Sequence, residues 1–489
     1  MGTPTSNLRL LANIILENVD TIDKLAKEQG VPYPTIDTLY NGGSQSEKFT
    51  IQPKVLNASL LATSAASQLI ATLKLPGLVL LDRANAFHVS SALRIVVETG
   101  VVEILREAGP KGLHVADIAS KVGVDSTILG RSIRMLATHY VFRELEPNVF
   151  ANNRVSSLID SGKASAGILG SLRKQREGGT KGHGVTNVQG DKYTGTNGIS
   201  ALVEQCTDEV FKSSAHLPDI VLSNDYSKSA FQTALQFDGS MWEFFEKNPG
   251  YLQRIQMAMV AWTNLRPHQA NLKGFEWEQL QPNSVVVDIG GGNGSEGFEI
   301  AKRAPKIKVV VQDREQTIQS VTTPTWNAEP DKKKMLESGQ VKLEGQDFFE
   351  KQPSHLDKQV SVFFLRLIMH DWPTKEGVKI LQKLHEAAAP TTKLVIVDQV
   401  VPYACPNPKA LAQIEGATLI KATSPLLANL GEASSDVYTT DFTMAALLNS
   451  QERTLGEFKE MVEEAGWAIE KVYQTAGSSF SQIVCALKQ

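Results

Sequence analysis

The apolar positions of this chain change their period partway along it. Near the N-terminus, Leu8, Leu11, Ile15, Val19 and Ile22 recur at heptad-like spacing. That spacing predicts an amphipathic helix over residues 8–28 that needs a partner surface. A second helical stretch covers 53–73, beyond the polar turn Asn41-Gly42-Gly43-Ser44. Residues 92–108 predict an amphipathic helix interrupted near Gly100, and 113–123 a short helix closed by Gly123, where glycine is favoured. Asp125 or Ser126 can cap the next helix, 127–138. Extended runs at 140–145 and 149–152 flank Pro147-Asn148, a hairpin signal. Helix, turn, helix and hairpin in this order describe a winged helix.

From residue 283 the pattern becomes strand–helix alternation. Apolar strands are expected at 284–289, 308–311, 360–365 and 393–397, with helices at 294–303 and 375–388. This is a doubly wound α/β domain with a parallel sheet. A helix over 454–465 ends at Gly466, and strands 467–474 and 480–488, joined by 476–479, close the sheet with an antiparallel pair.

Composition changes the picture in one place. Residues 172–198 turn to Gly, Lys, Thr and Asn, which cannot bury a core and predict a flexible surface insertion. The expected division is a helical extension over 1–83, a winged-helix-like domain over 84–240 and an α/β domain over 241–489. Elsewhere, 489 residues with 42% hydrophobic and 21% charged content suit a soluble globular protein. A net charge of -4 draws no nucleic acid by overall field. A DNA-binding regulator is the reading from a different class. Its recognition helix, 127–140, would carry Arg131, Arg134 and His139, but its remaining Ile, Leu and Met positions are needed for packing.

Cys206, Cys405 and Cys485 lie far apart, so neither a disulfide framework nor a zinc site is expected, and a reducing, cytoplasmic compartment fits. No apolar run approaches the ~20 residues of a membrane span. Residues 75–81 read as core or helix-end packing. Met1 to Ser6 formally fits a myristoylation pattern, without the second anchor that stable membrane binding needs. No membrane or nucleic-acid partner is expected.

Chemistry concentrates in two motifs. Asp288-Ile289-Gly290-Gly291-Gly292-Asn293-Gly294 ends an apolar strand, where open α/β sheets bind ligands and glycines let the backbone approach them. Asp313 ends the next strand about 25 residues later, near the ~20 typical of a ribose-binding carboxylate in dinucleotide folds. An acidic residue ahead of the glycines would repel a pyrophosphate but favour a cationic amino-acid portion. This favours S-adenosylmethionine over NAD. The second motif, Met369-His370-Asp371-Trp372, follows the strand 360–365 on the same edge.

These segments, with Val311-Gln312-Asp313-Arg314, Gly345-Gln346-Asp347-Phe348-Phe349, Leu365-Arg366-Leu367-Ile368 and Asn449-Ser450-Gln451-Glu452-Arg453-Thr454, are highly specific together. Over roughly 85–489 the chain resembles the class I S-adenosylmethionine-dependent O-methyltransferases of the caffeic-acid/plurifunctional type, in their fungal branch. The resemblance implies a Rossmann-like seven-stranded methyltransferase domain. It also implies a winged-helix dimerisation domain that helps close the partner's pocket, and hence a homodimer. It implies that Asp288, Gly290 and Gly292 serve the methionine portion of the cofactor and that Asp313, beside Arg314, holds the ribose. Asp347 and Phe348 would contact adenine, with Arg366 beside it. Plant members usually carry lysine at the Arg366 position.

The resemblance makes His370 the general base, oriented by Glu452 and by Asp398, the latter commonly glutamate in plant relatives. A phenol with a pKa near 10 facing a free histidine near 6.5 leaves proton transfer uphill by about 5 kcal/mol. Histidine therefore needs concerted transfer or nearby carboxylates that raise its basicity. Asp371 either contacts the substrate or caps the following turn. Tyr251, Ile255, Met259 and Trp262 match the family's substrate-lining helix, although their spacing alone also fits core. Met444 and Asn449 are further acceptor candidates. No metal is expected. The function implied is methylation of a phenolic hydroxyl on a small aromatic secondary metabolite. The alternative is a member that keeps the cofactor but catalyses a pericyclisation or decarboxylation.

Overall fold

The computed structural model describes residues 6–177, 192–265, 270–417, 422–475 and 478–488. Most of the myristoylation pattern, the centre of the 172–198 insertion and part of the 476–479 turn lie outside the described residues. Internal contacts divide the chain into two units, Met1–Arg266 and Pro267–Gln489.

In the first unit the helices Asn7–Gln29 and Pro53–Leu73 pack against each other. Ser6 caps the first by accepting from the Arg9 N–H, and Gly30 closes it at φ 65. Val55, Ala58 and Ala65 form the buried stripe of the second. By length and composition alone this helix is apolar enough to cross a membrane, a match missed by scanning for uninterrupted apolar runs. The expectation that 75–81 packs in a core is overturned. The helix Pro76–Ala84 buries none of its side chains, and Leu75, Leu78, Leu80 and Leu81 are exposed.

The winged helix is present. Gly100, at φ 66, separates Phe87–Glu98 from Val101–Ala108, and Asp125 caps Ser126–Thr138 through the Ile128 N–H at 2.9 Å. Strands β1 (Leu113–His114), β2 (Phe142–Glu146) and β3 (Val149–Asn152) pair in the order β1–β3–β2. Val96, Ile104, Ile118, Leu129, Ile133, Leu136 and Phe150 share one core, which accounts for the apolar faces of these helices. Arg134 is tied to the wing, pairing with Glu144 and Asn148.

The insertion reading needs correction at its margins. Its start continues the helix Ser165–Glu177, and near its end Tyr193 is fully buried, with Lys192 and Tyr193 both bonded to Glu204. The contact division also falls later than 240. The helix Pro249–Asn264 stays with the first unit because it packs on Ile199–Gln205, and its Arg254 joins buried Asp208 and Glu209 on the π-helical segment Cys206–Val210.

The second unit carries a seven-stranded sheet. Its strands are β4 (Val285–Ile289), β5 (Lys308–Asp313), β6 (Val341–Gly345), β7 (Val360–Arg366), β8 (Lys393–Gln399), β9 (Trp467–Gln474) and β10 (Phe480–Leu487), in the order β6–β5–β4–β7–β8–β10–β9. The first five are parallel, and β10 runs antiparallel to both its neighbours. Alternate residues of the central strands face opposite cores. Val287, Phe363, Leu365, Leu394 and Ile396 pack with Leu381, Phe458 and Met461, whereas Val286, Val309, Phe364 and Val395 pack with Trp277, Ile300 and Trp326. Burial on both faces explains why these strands read as continuous apolar runs. The carboxyl ends of β4, β5 and β7 therefore share one rim, where both motifs emerge.

Candidate active site

The glycine loop is shaped by backbone that side chains would obstruct. Gly290 and Gly292 have φ of 67 and 57, a region that costs other residues steric strain. A Cβ on Gly290 would lie 2.5 Å from Ile368 Cδ1 and 3.8 Å from Phe348 Cε1, whereas one on Gly292 would meet nothing within 4 Å. The loop thus presses on the segment before His370 at one glycine and opens to free space at the other. Asp313 is held at the tip of β5 by N–H groups of Gly292 (2.9 Å) and its neighbour Arg314 (2.8 Å). From behind, Thr322 donates to the Gly292 carbonyl at 2.6 Å and the Trp326 indole to the Asn293 carbonyl at 3.0 Å.

Asp288 sits differently from the sequence expectation. It is 2% exposed, lies beneath Gly291 and accepts the Gly297 N–H at 3.1 Å. Burial, with Glu296 nearby, pushes its carboxyl up to about 7. It ties the loop to the helix Ser295–Arg303 from below, with its carboxyl tucked under Gly291. Arg366 also has its own partners, with Nε 3.3 Å from Glu296 and the guanidinium 5.9 Å from the Phe480 ring centre. Asp347 is exposed at the end of β6, and half-buried Phe348 stacks edge-on against Phe349 and Trp372. Trp372 thereby links the adenine-side candidates to the histidine turn.

His370 occupies a single 3₁₀ turn, Met369–Asp371, beyond β7. Its Nδ1 is 2.8 Å from Glu452 Oε1 and its Nε2 3.4 Å from Asp371 Oδ1. The ring remains 13% exposed while Glu452 is 1% exposed. Asp398, on β8, is fully buried, and neither of its carboxylate oxygens has a hydrogen-bond partner among the described residues. It therefore acts on His370 through its field and not through a direct bond. Burial pulls the imidazole down, but Asp371, the bond to Glu452 and the charge of Asp398 outweigh it and leave His370 pushed up to about 10. Burial raises Asp398 to about 7, with His370 opposing. The arrangement gives one imidazole high basicity and a partly open edge.

The acceptor candidates divide. Tyr251 and Ile255 are core residues. The Tyr251 ring lies under the Arg254 guanidinium, 4.8 Å from its centre, and edge-on to Phe244. Met259 is 44% exposed and Trp262 half-buried. Met444 and Asn449 are half-buried at the end of the helix Ser435–Leu448, whose Asp441 accepts the Glu452 N–H at 2.9 Å. Asp441, Ser450 and Arg453 brace the histidine turn or its partner. Ser450 and Arg453 stand in the sequence motif 449–454, but only its Asn449 and Glu452 were expected to have roles.

A family model described as an O-methyltransferase domain matches residues 215–424, and one for an O-methyltransferase dimerisation domain matches 81–160. An O-methyltransferase of Armillaria gallica is 37% identical over 96% of this chain and 95% of its own length. The 4-O-methyltransferase 1 of Phanerochaete chrysosporium is 34% identical over 96% of each. Among solved structures, OxaC with SAH and oxaline aligns at TM-score 0.60 and 20% identity, covering 98% of this chain and 100% of that one. A structure described as a pericyclic reaction enzyme aligns at TM-score 0.62 and 17% identity, over 97% of this chain and 100% of that one.

Proposed function

Because the chain belongs to the O-methyltransferase family, we propose that it transfers a methyl group from S-adenosylmethionine to a phenolic hydroxyl of a small aromatic acceptor, with His370 as general base. The observation that carries this reading is the carboxylate-rich setting of His370. A phenol has a pKa near 10. With His370 pushed up to about 10, the ~5 kcal/mol gap expected against free histidine largely closes. So basic a histidine holds a proton at neutral pH. The acceptor then pairs with it as phenolate beside imidazolium after releasing one proton to solvent. This state has the same proton count as a phenol beside a neutral ring. Glu452 fixes Nδ1, which leaves Nε2 as the edge for the acceptor.

When bound, the cofactor supplies a sulfonium methyl that needs little further activation. The residues present fit it. Gly290 and Gly292 would hold its methionine portion, and the open space over Gly292 leaves room for close approach. Asp313 would hold the ribose, since each oxygen accepts one N–H and keeps a lone pair. Asp347 and Phe348 would hold the adenine. That OxaC was solved with SAH supports this choice of cofactor. The match to a dimerisation domain supports a homodimer, and the three free cysteines suit a reducing, cytoplasmic setting.

The test is a panel of phenols with labelled cofactor, read by mass spectrometry, on wild type and His370→Ala. Wild type should add one methyl to at least one phenol. His370→Ala should lose about 10²–10⁴ in kcat while calorimetric cofactor affinity stays within about twofold. Unchanged turnover in His370→Ala would sink the base assignment. Absence of any methylated phenol would favour a non-methylating reaction, a reading kept open by the pericyclic enzyme's similar fold.

A further inference from the structure

The turn that carries His370 is gripped through its backbone by one short segment. Arg453, whose side chain is fully buried, donates from Nη1 to the Met369 carbonyl at 2.5 Å and from Nη2 to the Trp372 carbonyl at 2.6 Å. Ser450 Oγ donates to the carbonyl of His370 itself at 2.6 Å. Three carbonyls of a four-residue stretch are thus satisfied by side chains 80 or more residues away in sequence. The gripping segment is itself anchored. The Val401 N–H donates to the Arg453 carbonyl at 2.9 Å beyond β8, and the Ser450 N–H to the Met444 carbonyl at 3.3 Å.

The turn needs such a hold. Leu367, which enters it, has φ 54, and a bulky side chain in the left-handed region is strained. Such backbone persists only where surrounding bonds over-determine it. A planar guanidinium reaches the two carbonyls from two nitrogens in a fixed fork, whereas a lysine ammonium offers its donors from one atom on a flexible stem and would hold their spacing less rigidly.

We propose that Arg453, assisted by Ser450, is a positioning residue that fixes the direction of the His370 ring by clamping the backbone of its turn. This is a role separate from Glu452's charge. The inference rests on His370 being the base. Arg453 touches no reacting atom, so its effect runs through the geometry of the imidazole.

Arg453→Lys keeps the charge and loses the rigid two-nitrogen fork. It should lower kcat about 10- to 100-fold, with KM for the acceptor and cofactor affinity within about twofold. The pH profile of kcat/KM should fall in height and keep its shape, unlike that of a Glu452 variant. Ser450→Ala, the milder change, should lower kcat about 3- to 10-fold. The double variant His370→Ala/Arg453→Lys should be no slower than His370→Ala alone, because the clamp has nothing left to position.

An Arg453→Lys enzyme with kcat within twofold of wild type would overturn the proposal. So would a double variant slowed by the product of the single effects, or a loss of kcat matched by a loss of cofactor binding. If Arg453→Lys does not fold, Ser450→Ala decides, and unchanged kcat there counts against the clamp. Normal turnover by His370→Ala alone defeats the base assignment and the clamp with it. Loss in His370→Ala beside normal Arg453→Lys defeats only the clamp.

Discussion

In the first unit, Arg254 lies buried among Asp208, Glu209 and Glu204, with Arg94, Lys192, Lys212 and Glu98 completing the group. In the second, His370 lies among Glu452, Asp371 and Asp398, with the Arg453 cation opposing the charge of Asp398. Both clusters are deep and rich in carboxylates, yet they serve different ends. The first balances its cations Arg94, Lys192, Lys212 and Arg254 against Glu98, Glu204, Asp208 and Glu209, and most of its groups are ion-paired within the cluster. It ties together helices from distant parts of the chain, with only Arg94 and Lys212 of its cations reaching towards the surface. The second has more carboxylates than cations and keeps the imidazole partly open, at 13% exposed. Charge balance makes a brace, and charge excess beside an accessible ring makes a base.

Breaking the balanced cluster should have the largest effect on stability. Arg254→Met strands buried Asp208, Glu209 and Glu204 and should cost about 3–5 kcal/mol in denaturant unfolding. A loss under about 1 kcal/mol would mean the carboxylates do not depend on it. Next, Glu452→Gln replaces the charged acceptor at Nδ1 by a neutral amide oxygen and removes part of the field that raises His370. It should reduce kcat/KM about 10²-fold with cofactor affinity retained.

Burial raises Asp371 as well, but the pH dependence of stability separates Asp398 from His370. Asp398, raised from its ordinary value to about 7, binds more protons folded than unfolded, so it draws stability down as pH climbs from about 4 to 7. His370, raised from 6.5 to about 10, contributes stability that is full below 6.5 and lost as pH rises towards 10. Asp398→Asn should flatten the acid-side part of this decline in Tm, and His370→Phe the alkaline part. Identical curves for wild type and both variants would contradict the assignment. The smallest effect expected is Asp313→Asn, which should weaken cofactor binding by about 1–1.5 kcal/mol, or roughly tenfold, in calorimetry.

Apolar periodicity carried the sequence reading furthest where burial is two-sided or helical. The strands β4, β5, β7 and β8 were legible because each is apolar along its length. β6 was missed because it is an edge strand, with Lys342 and Glu344 breaking its pattern. In the candidate site, the identity of His370 and Glu452 was legible from motifs, and the structure brings them within hydrogen-bond distance. The direction of a side chain was not legible. Asp288 reads as a ligand group from its place before the glycines but points under the loop. Tyr251, expected to line a pocket from the family resemblance although its spacing also fits core, packs on Arg254. Arg453 and Ser450 were invisible as supports because what they hold is backbone far away in sequence, and a carbonyl leaves no mark on residue identity.

The central claim is that carboxylate excess makes His370 as basic as a phenol. The most direct test is the pH profile of kcat/KM for a phenol of pKa near 10, at saturating cofactor, for wild type and Glu452→Gln. The account predicts that wild-type kcat/KM rises with unit slope from about pH 7 to 9 without levelling, since the imidazole still carries its proton there. Glu452→Gln should level off at lower pH. A wild-type profile that levels near pH 6.5, as an unperturbed histidine would give, would contradict it.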